Sequence, residues 1–180
     1  MKAYCLMHDH LTTAGLVGEA LTTEGWEFDT EWVVPEDRFT RPAVSFEFPD
    51  PTQYDLIVPF GAPWSVYDFD GVGSWLEPEL AWLKRALDAD VPVLGICFGG
   101  QLLASVLGGG VAPTERPEIG WVQVESDVPA LAGPWFQWHY DHFTVPEGAQ
   151  MRAQNAAAAQ AFTHGRSLGL QFHPELTPEI

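Results

Sequence analysis

The chain predicts an α/β fold: a mostly parallel open sheet with helices on both faces, and short antiparallel strands in the C-terminal third. Three observations lead there. Apolar runs of strand length alternate with amphipathic runs of helix length through the first two-thirds. Glycines flank the cysteine in Gly95-Ile96-Cys97-Phe98-Gly99-Gly100-Gln101, between an apolar run and an amphipathic one. Beyond Ile119 the pattern changes to short apolar segments separated by turns.

Taken in order, residues 3–7 read as the first strand and 12–24 as the first helix, closed by Gly25. Residues 27–34 read as a second strand, and 54–59 as a third that runs into a loop holding Gly61 and Pro63. Leu76, Leu80, Leu83 and Leu87 then mark one face of a helix. Pro78 suits a first helical turn, so the helix is expected to begin there. Residues 91–96 form a buried strand and 101–107 the helix after it, ended by Gly108-Gly109-Gly110. Parallel strands with helical crossovers fit this order. Five short strands follow, over 121–125, 135–138, 151–154, 160–163 and 167–172. The alanines of 156–161 have helix propensity, but 155–158 is read as a turn between hairpin strands. No linker, repeat or low-complexity tract divides the chain, so residues 1–180 are expected to form a single domain.

Eight basic residues against 25 acidic ones give a formal net charge of −17. Such a surface repels phosphate backbones and anionic lipid, so neither nucleic acid nor a membrane is an expected partner. No apolar run approaches the eighteen or so residues of a membrane span, and the N-terminus lacks the apolar core of a signal peptide. Cys5 and Cys97 are the only cysteines, too few for a disulfide framework, which points to a reducing compartment and a cytoplasmic protein. There is no Gly-x-x-x-x-Gly-Lys-Ser/Thr loop, so no nucleotide or other cofactor is expected.

The glycine-flanked segment reads as a nucleophile elbow with Cys97 as the nucleophile. A sharp strand-to-helix turn needs small neighbours, and it would present the sulfur at a helix N-terminus, where oriented amides favour a thiolate. The bland alternative is a buried cysteine in a tight turn. A cysteine nucleophile needs a base, and the base an orienting group. Of six histidines, His173 has an obvious partner: in Leu170-Gln171-Phe172-His173-Pro174-Glu175 an apolar strand ends at a histidine. In an extended segment residues i and i+2 project to one side, so Glu175 can reach the His173 ring.

Gly-Ile-Cys-Phe-Gly-Gly-Gln together with Gln-Phe-His-Pro-Glu resembles the class I glutamine amidotransferase family, and among its members the stand-alone ones similar to the amidotransferase domain of GMP synthase. Phe60-Gly61-Ala62-Pro63-Trp64-Ser65-Val66-Tyr67 resembles the family's oxyanion loop. Trp138-His139-Tyr140-Asp141 resembles its Trp-His-x-Asp motif, and Glu118-Ile119-Gly120-Trp121 the segment before that. The resemblance covers roughly residues 54–175 and implies a flavodoxin-like sheet. It also implies hydrolysis of the side-chain amide of glutamine, or another γ-glutamyl amide, through a Cys97 thioester. His173 would be the acid–base group and Glu175 its orienter. Phe98 and the Gly61-Ala62 loop would supply oxyanion donors, and Gln101, His139, Tyr140 and Asp141 would hold the amino-acid end of the substrate. A separate synthase subunit would take the ammonia.

There are departures. Ala62 replaces a glycine of the family's loop, and the chain stops five residues after Glu175, where similar stand-alone members continue into a C-terminal helix. A natural short form and a truncated one are both compatible with that. Two other readings stand beside the ammonia-supplying one: an independent hydrolase of γ-glutamyl peptides or conjugates, and a degenerate, non-catalytic binding module. A related cysteine hydrolase or protease is disfavoured, because such proteins place a histidine directly after the elbow cysteine, where this chain has Phe98. His8-Asp9-His10 is expected to be a solvated loop, with substrate contact the minority reading and metal ligation disfavoured. The same holds for metal at His139-Tyr140-Asp141-His142. His164 is expected at the surface; Trp32, Trp82, Trp121 and Trp135 are expected in the core, with Trp64 walling the site.

Overall fold

The computed structural model describes residues 1–176. Strand β1 (Lys2–Met7) lies between β2 (Glu27–Trp32) and β3 (Leu56–Pro59), all parallel. An Ile57–Val93 bridge carries the sheet on to β4 (Leu94–Ile96), which pairs in parallel with β9 (Ser167–Leu170). From β9 the order continues antiparallel through β8 (Ala159–His164) and β7 (Gln150–Gln154) to β5 (Val111–Ser126), against which β6 (Gly133–Phe143) folds back. The expected α/β architecture is therefore present, parallel first and antiparallel last.

Strand periodicity divides the core. Ala3, Cys5 and Met7 of β1 point to one face and pack with Leu21 of α1 (Gly15–Thr23). Tyr4 and Leu6 point to the other, under α2 (Phe69–Asp88) and α3 (Phe98–Val106), where Trp75, Trp82 and Leu102 are buried. A third cluster of Val124, Ala161 and Phe172 lies beneath the antiparallel half, with Trp135 stacked on Phe172 at 4.7 Å. Burial pushes the Cys5 thiol up to about 12, which makes it an inert core residue.

Four expectations are corrected. Helix α2 begins at Phe69 rather than Pro78, because Asp68 caps it by accepting the Gly71 N–H at 3.0 Å; the proline then sits inside the helix. The first strand of the antiparallel half is far longer than expected, since it pairs with β6 along most of its length. Trp32 and Trp121 are about half exposed: one ends the edge strand β2, and the other sits on the β5–β6 hairpin, edge-on to Phe136. The His8–Asp9 segment is not a solvated loop, for both residues are buried. The turn at 155–158 is as expected, with Asn155 Oδ1 accepting the N–H groups of Ala157 and Ala158.

Candidate active site

Three close backbone approaches build the elbow. A β-carbon at Gly95 would run into the Gly99 carbonyl, one at Gly99 into the Pro59 carbonyl, and one at Gly100 into the Leu170 carbonyl. Glycine at these positions lets α3 start wedged between β3 and β9. Cys97 at the turn has φ 52° and ψ −105°, a conformation that costs a non-glycine residue about 1–3 kcal/mol. Its N–H donates to the Leu170 carbonyl at 2.8 Å, and the Gly99 N–H to the Phe60 carbonyl at 3.1 Å, so the surrounding sheet holds the strained turn in place.

The chain beyond β9 brings His173 to the same point. Its N–H donates to the Phe136 carbonyl at 2.9 Å, and its Nδ1 lies 2.7 Å from Glu175 Oε1. The Glu175 carbonyl in turn accepts the Leu16 N–H at 2.9 Å, and a β-carbon at Gly15 would collide with it. The first turn of α1 thus clamps the segment that carries Glu175. Burial pulls the His173 imidazole down, but Cys97 on one side and Glu175 on the other outweigh it and hold the ring well above the usual histidine range. Nε2, the nitrogen turned away from Glu175, is buried without a hydrogen-bond partner among the described residues.

Gly61 closes the third side: a β-carbon there would lie 3.3 Å from His173 Cε1 and 3.9 Å from Cys97 Cβ. Neither Gly61 nor Ala62 has a positive φ, so alanine at position 62 is unstrained. The Phe98 N–H, first in α3, has no earlier helical turn to supply a carbonyl. Cys97, His173 and Glu175 line one cavity of about 490 Å³, with Trp64, Trp138 and Tyr140 among its walls.

The remaining residues singled out from the sequence converge on the cavity but are largely engaged with the protein. Gln101 Nε2 donates to the Asp141 carbonyl at 3.2 Å and lies 3.4 Å from Gln171 Oε1. The Asp141 carboxylate accepts the Ser65 hydroxyl at 2.6 Å and the Tyr67 hydroxyl at 2.7 Å. His139 Nδ1 donates to the Asp141 carbonyl at 2.9 Å, which fixes the hydrogen on that nitrogen. Its Nε2 faces Glu118 Oε2 at 3.2 Å, out of line for a hydrogen bond, and burial lowers the ring's proton affinity despite that carboxylate. Tyr140 stands exposed at the cavity mouth.

The family model for class I glutamine amidotransferases matches residues 33–180. The chain belongs to that family. It is 40% identical over 143 residues to the glutamine-hydrolyzing GMP synthase of Thermomicrobium roseum, covering 68% of this chain and 27% of that one. The chain thus spans about a quarter of the length of that relative (27%). It is 34% identical over 140 residues to a glutamine-hydrolyzing GMP synthase subunit of Ignicoccus hospitalis, covering 71% of this chain and 70% of that one. Among solved structures it is similar to a glutamine amidotransferase from Thermotoga maritima, with a TM-score of 0.83, 28% identity and coverage of 98% and 76% of the two chains.

In this amidotransferase domain, several residues at the site carried no sequence assignment. Gln171 approaches Cys97 Sγ at 3.8 Å, and Ser65 and Tyr67 hold Asp141. Glu118 gathers Asn155, Gln160 and His139. All four lie inside the motif-bearing segments, which was the one available signal; their partners are distant in sequence.

Proposed function

We propose that the chain hydrolyses the side-chain amide of glutamine, or a γ-glutamyl amide like it, through a thioester on Cys97, and releases ammonia to a separate synthase. The observation that carries this reading is the convergence of Cys97, His173 and Glu175 on one cavity wall beside Gly61. Cys97 Sγ attacks the amide carbon, and the oxyanion that forms is met by the Phe98 N–H and by an N–H of the Gly61-Ala62 loop. Such a donor is worth about 3–4 kcal/mol to the transition state. The tetrahedral species collapses as the C–N bond breaks and His173 Nε2 gives its proton to the leaving nitrogen. Water then attacks the thioester, returning a proton to His173, and cleavage of the C–S bond frees glutamate and the Cys97 sulfur. Glu175 holds the imidazole in the tautomer that both steps need.

The ammonia-supplying reading draws on the likeness to the separate GMP synthase subunit of Ignicoccus hospitalis. The independent hydrolase remains the second reading, and the aromatic-walled cavity of about 490 Å³ supports it, since that space can seat a donor with a group beyond the amide nitrogen of glutamine. Ammonia release from glutamine and from γ-glutamyl peptides, measured with and without a candidate synthase, separates the two. Glutamine turnover that rises on adding the synthase is the expected result. Turnover of γ-glutamyl peptides alone, independent of any synthase, points to the second reading. Absence of a Cys97 adduct with a glutamine-analogue electrophile overturns both.

A further inference from the structure

A second histidine–glutamate pair lies behind the site. His8, the residue directly after β1, and Glu79, in the middle of α2, are both fully buried. His8 Nε2 faces both carboxylate oxygens of Glu79, at 3.0 and 3.2 Å, and Nδ1 reaches the Gly61 carbonyl at 3.2 Å. The same ring meets the Phe98 ring edge-on at 4.7 Å and Trp75 at 5.6 Å. One imidazole therefore touches both segments that carry the expected oxyanion donors.

The hydrogen-bond inventory defines what the pair does. A carbonyl only accepts, so His8 Nδ1 carries a hydrogen and donates it to Gly61. One further proton lies between Nε2 and the Glu79 carboxyl; on either partner it preserves the same two hydrogen bonds. The Gly61 carbonyl and the Ala62 N–H belong to one planar trans peptide, so they point in opposite directions. Fixing the carbonyl toward His8 fixes the N–H away from it. Pro63 restricts the backbone of Ala62, but Gly61, without a β-carbon, leaves the torsion on the other side of the peptide free, and an anchor on its carbonyl sets that torsion.

We propose that His8 and Glu79 are a positioning pair that locks the Gly61–Ala62 peptide with the Ala62 N–H turned toward Cys97. The inference rests on the amide-hydrolysis reading above and adds to it a device that keeps the oxyanion site formed before substrate arrives. His8 and Glu79 touch no reacting atom; they act through the peptide.

The decisive variant is the double replacement His8→Leu/Glu79→Leu. Replacing both partners removes the lock without stranding a charge in the core, a change that buried ion pairs often tolerate. Two readouts accompany it. The first is turnover of the amide donor, with circular dichroism and thermal unfolding to confirm the fold. The second is the NMR resonance and exchange rate of the Ala62 amide, which needs no substrate. Expected are a folded protein, a kcat lower by about 10²-fold with KM little changed, and a shifted or exchange-broadened Ala62 amide. Glu79→Gln should keep kcat within about threefold, since its side-chain amide can donate to Nε2 while Nδ1 still donates to Gly61. Alkylation of Cys97 by iodoacetamide, which forms no oxyanion, should proceed at the wild-type rate in all variants. Wild-type kcat in the double variant overturns the proposal, and so does a loss of kcat with the Ala62 amide unchanged. If the wild-type protein hydrolyses no γ-glutamyl amide, the functional reading fails, and the Ala62 amide alone decides on the lock.

Discussion

His173 Nδ1 and Glu175 Oε1 stand 2.7 Å apart, with a single proline between the two residues in the chain. The contact is local, yet three distant elements maintain it: β6 takes the His173 N–H, α1 takes the Glu175 carbonyl, and Cys97 flanks the ring. Burial lowers the proton affinity of His173, and Cys97 and Glu175 together raise it above the ordinary value. Glu175→Gln removes one of the two raising charges. The alkaline limb of kcat/KM, where the imidazolium is lost, should therefore move to lower pH, and kcat should fall by about 10²- to 10⁴-fold. A pH–rate profile of both proteins checks this. An unmoved alkaline limb would show that Glu175 does not govern the ring's protonation.

Cys97 is strained, and the strain has a measurable sign. At φ 52° a β-carbon is unfavourable, and glycine is also the better residue at a helix N-cap, so Cys97→Gly should be more stable than Cys97→Ala by about 1 kcal/mol or more. Both variants should lack activity. Urea unfolding of the pair gives the difference directly, and equal midpoints would mean the elbow is relaxed.

What could be read in the sequence was what is encoded locally. Cys97 was legible through glycines that stand two residues to either side of it, and Glu175 through its i+2 spacing from His173. The parallel half of the sheet followed from the alternation of strand and helix patterns. The rest depends on contacts that no local pattern carries. Ser65 meets Asp141 across 76 positions, and His8 meets Glu79 across 71. Pro78 looked like a helix start because proline suits the first turn, but the Asp68 cap and the buried Trp75 extend the helix before it. Trp32 and Trp121 obey apolar patterns, yet an edge strand and a hairpin leave one side of each without a neighbour.

Gly61 offers a test of close packing apart from backbone strain. Its φ is not positive, so Gly61→Ala adds only a methyl group, 3.3 Å from His173 Cε1 and 3.9 Å from Cys97 Cβ. The ring must shift by a few tenths of an ångström to admit it. Thermal unfolding should change by no more than about 3 °C, while kcat falls by about 10- to 100-fold through misplacement of the ring. Paired melting and initial-rate measurements check it, and unchanged turnover would mean the ring tolerates displacement.

His139 supplies a pH dependence of stability with a definite direction. Burial lowers its proton affinity in the folded protein, against the opposing pull of Glu118, so its folded pKa lies below the unfolded value of about 6.5. Above that value the ring is neutral in both states and its contribution is fully present. As pH falls below it, the unfolded chain takes up the proton first, and stability declines until the folded ring is protonated as well. His173 runs the other way: its raised folded pKa favours the fold below about 6.5, and this is lost as pH rises through the folded value. His173 is present in both wild type and His139→Gln, so their difference reports on His139 itself together with the repulsion that the His173 charge exerts on it, which acts in the same direction as burial. Urea unfolding at about pH 7.5 and about pH 5.5 should thus show the variant losing less stability on acidification than the wild type. Equal losses in the two proteins would mean that His139 carries its proton in the folded state, paired with Glu118.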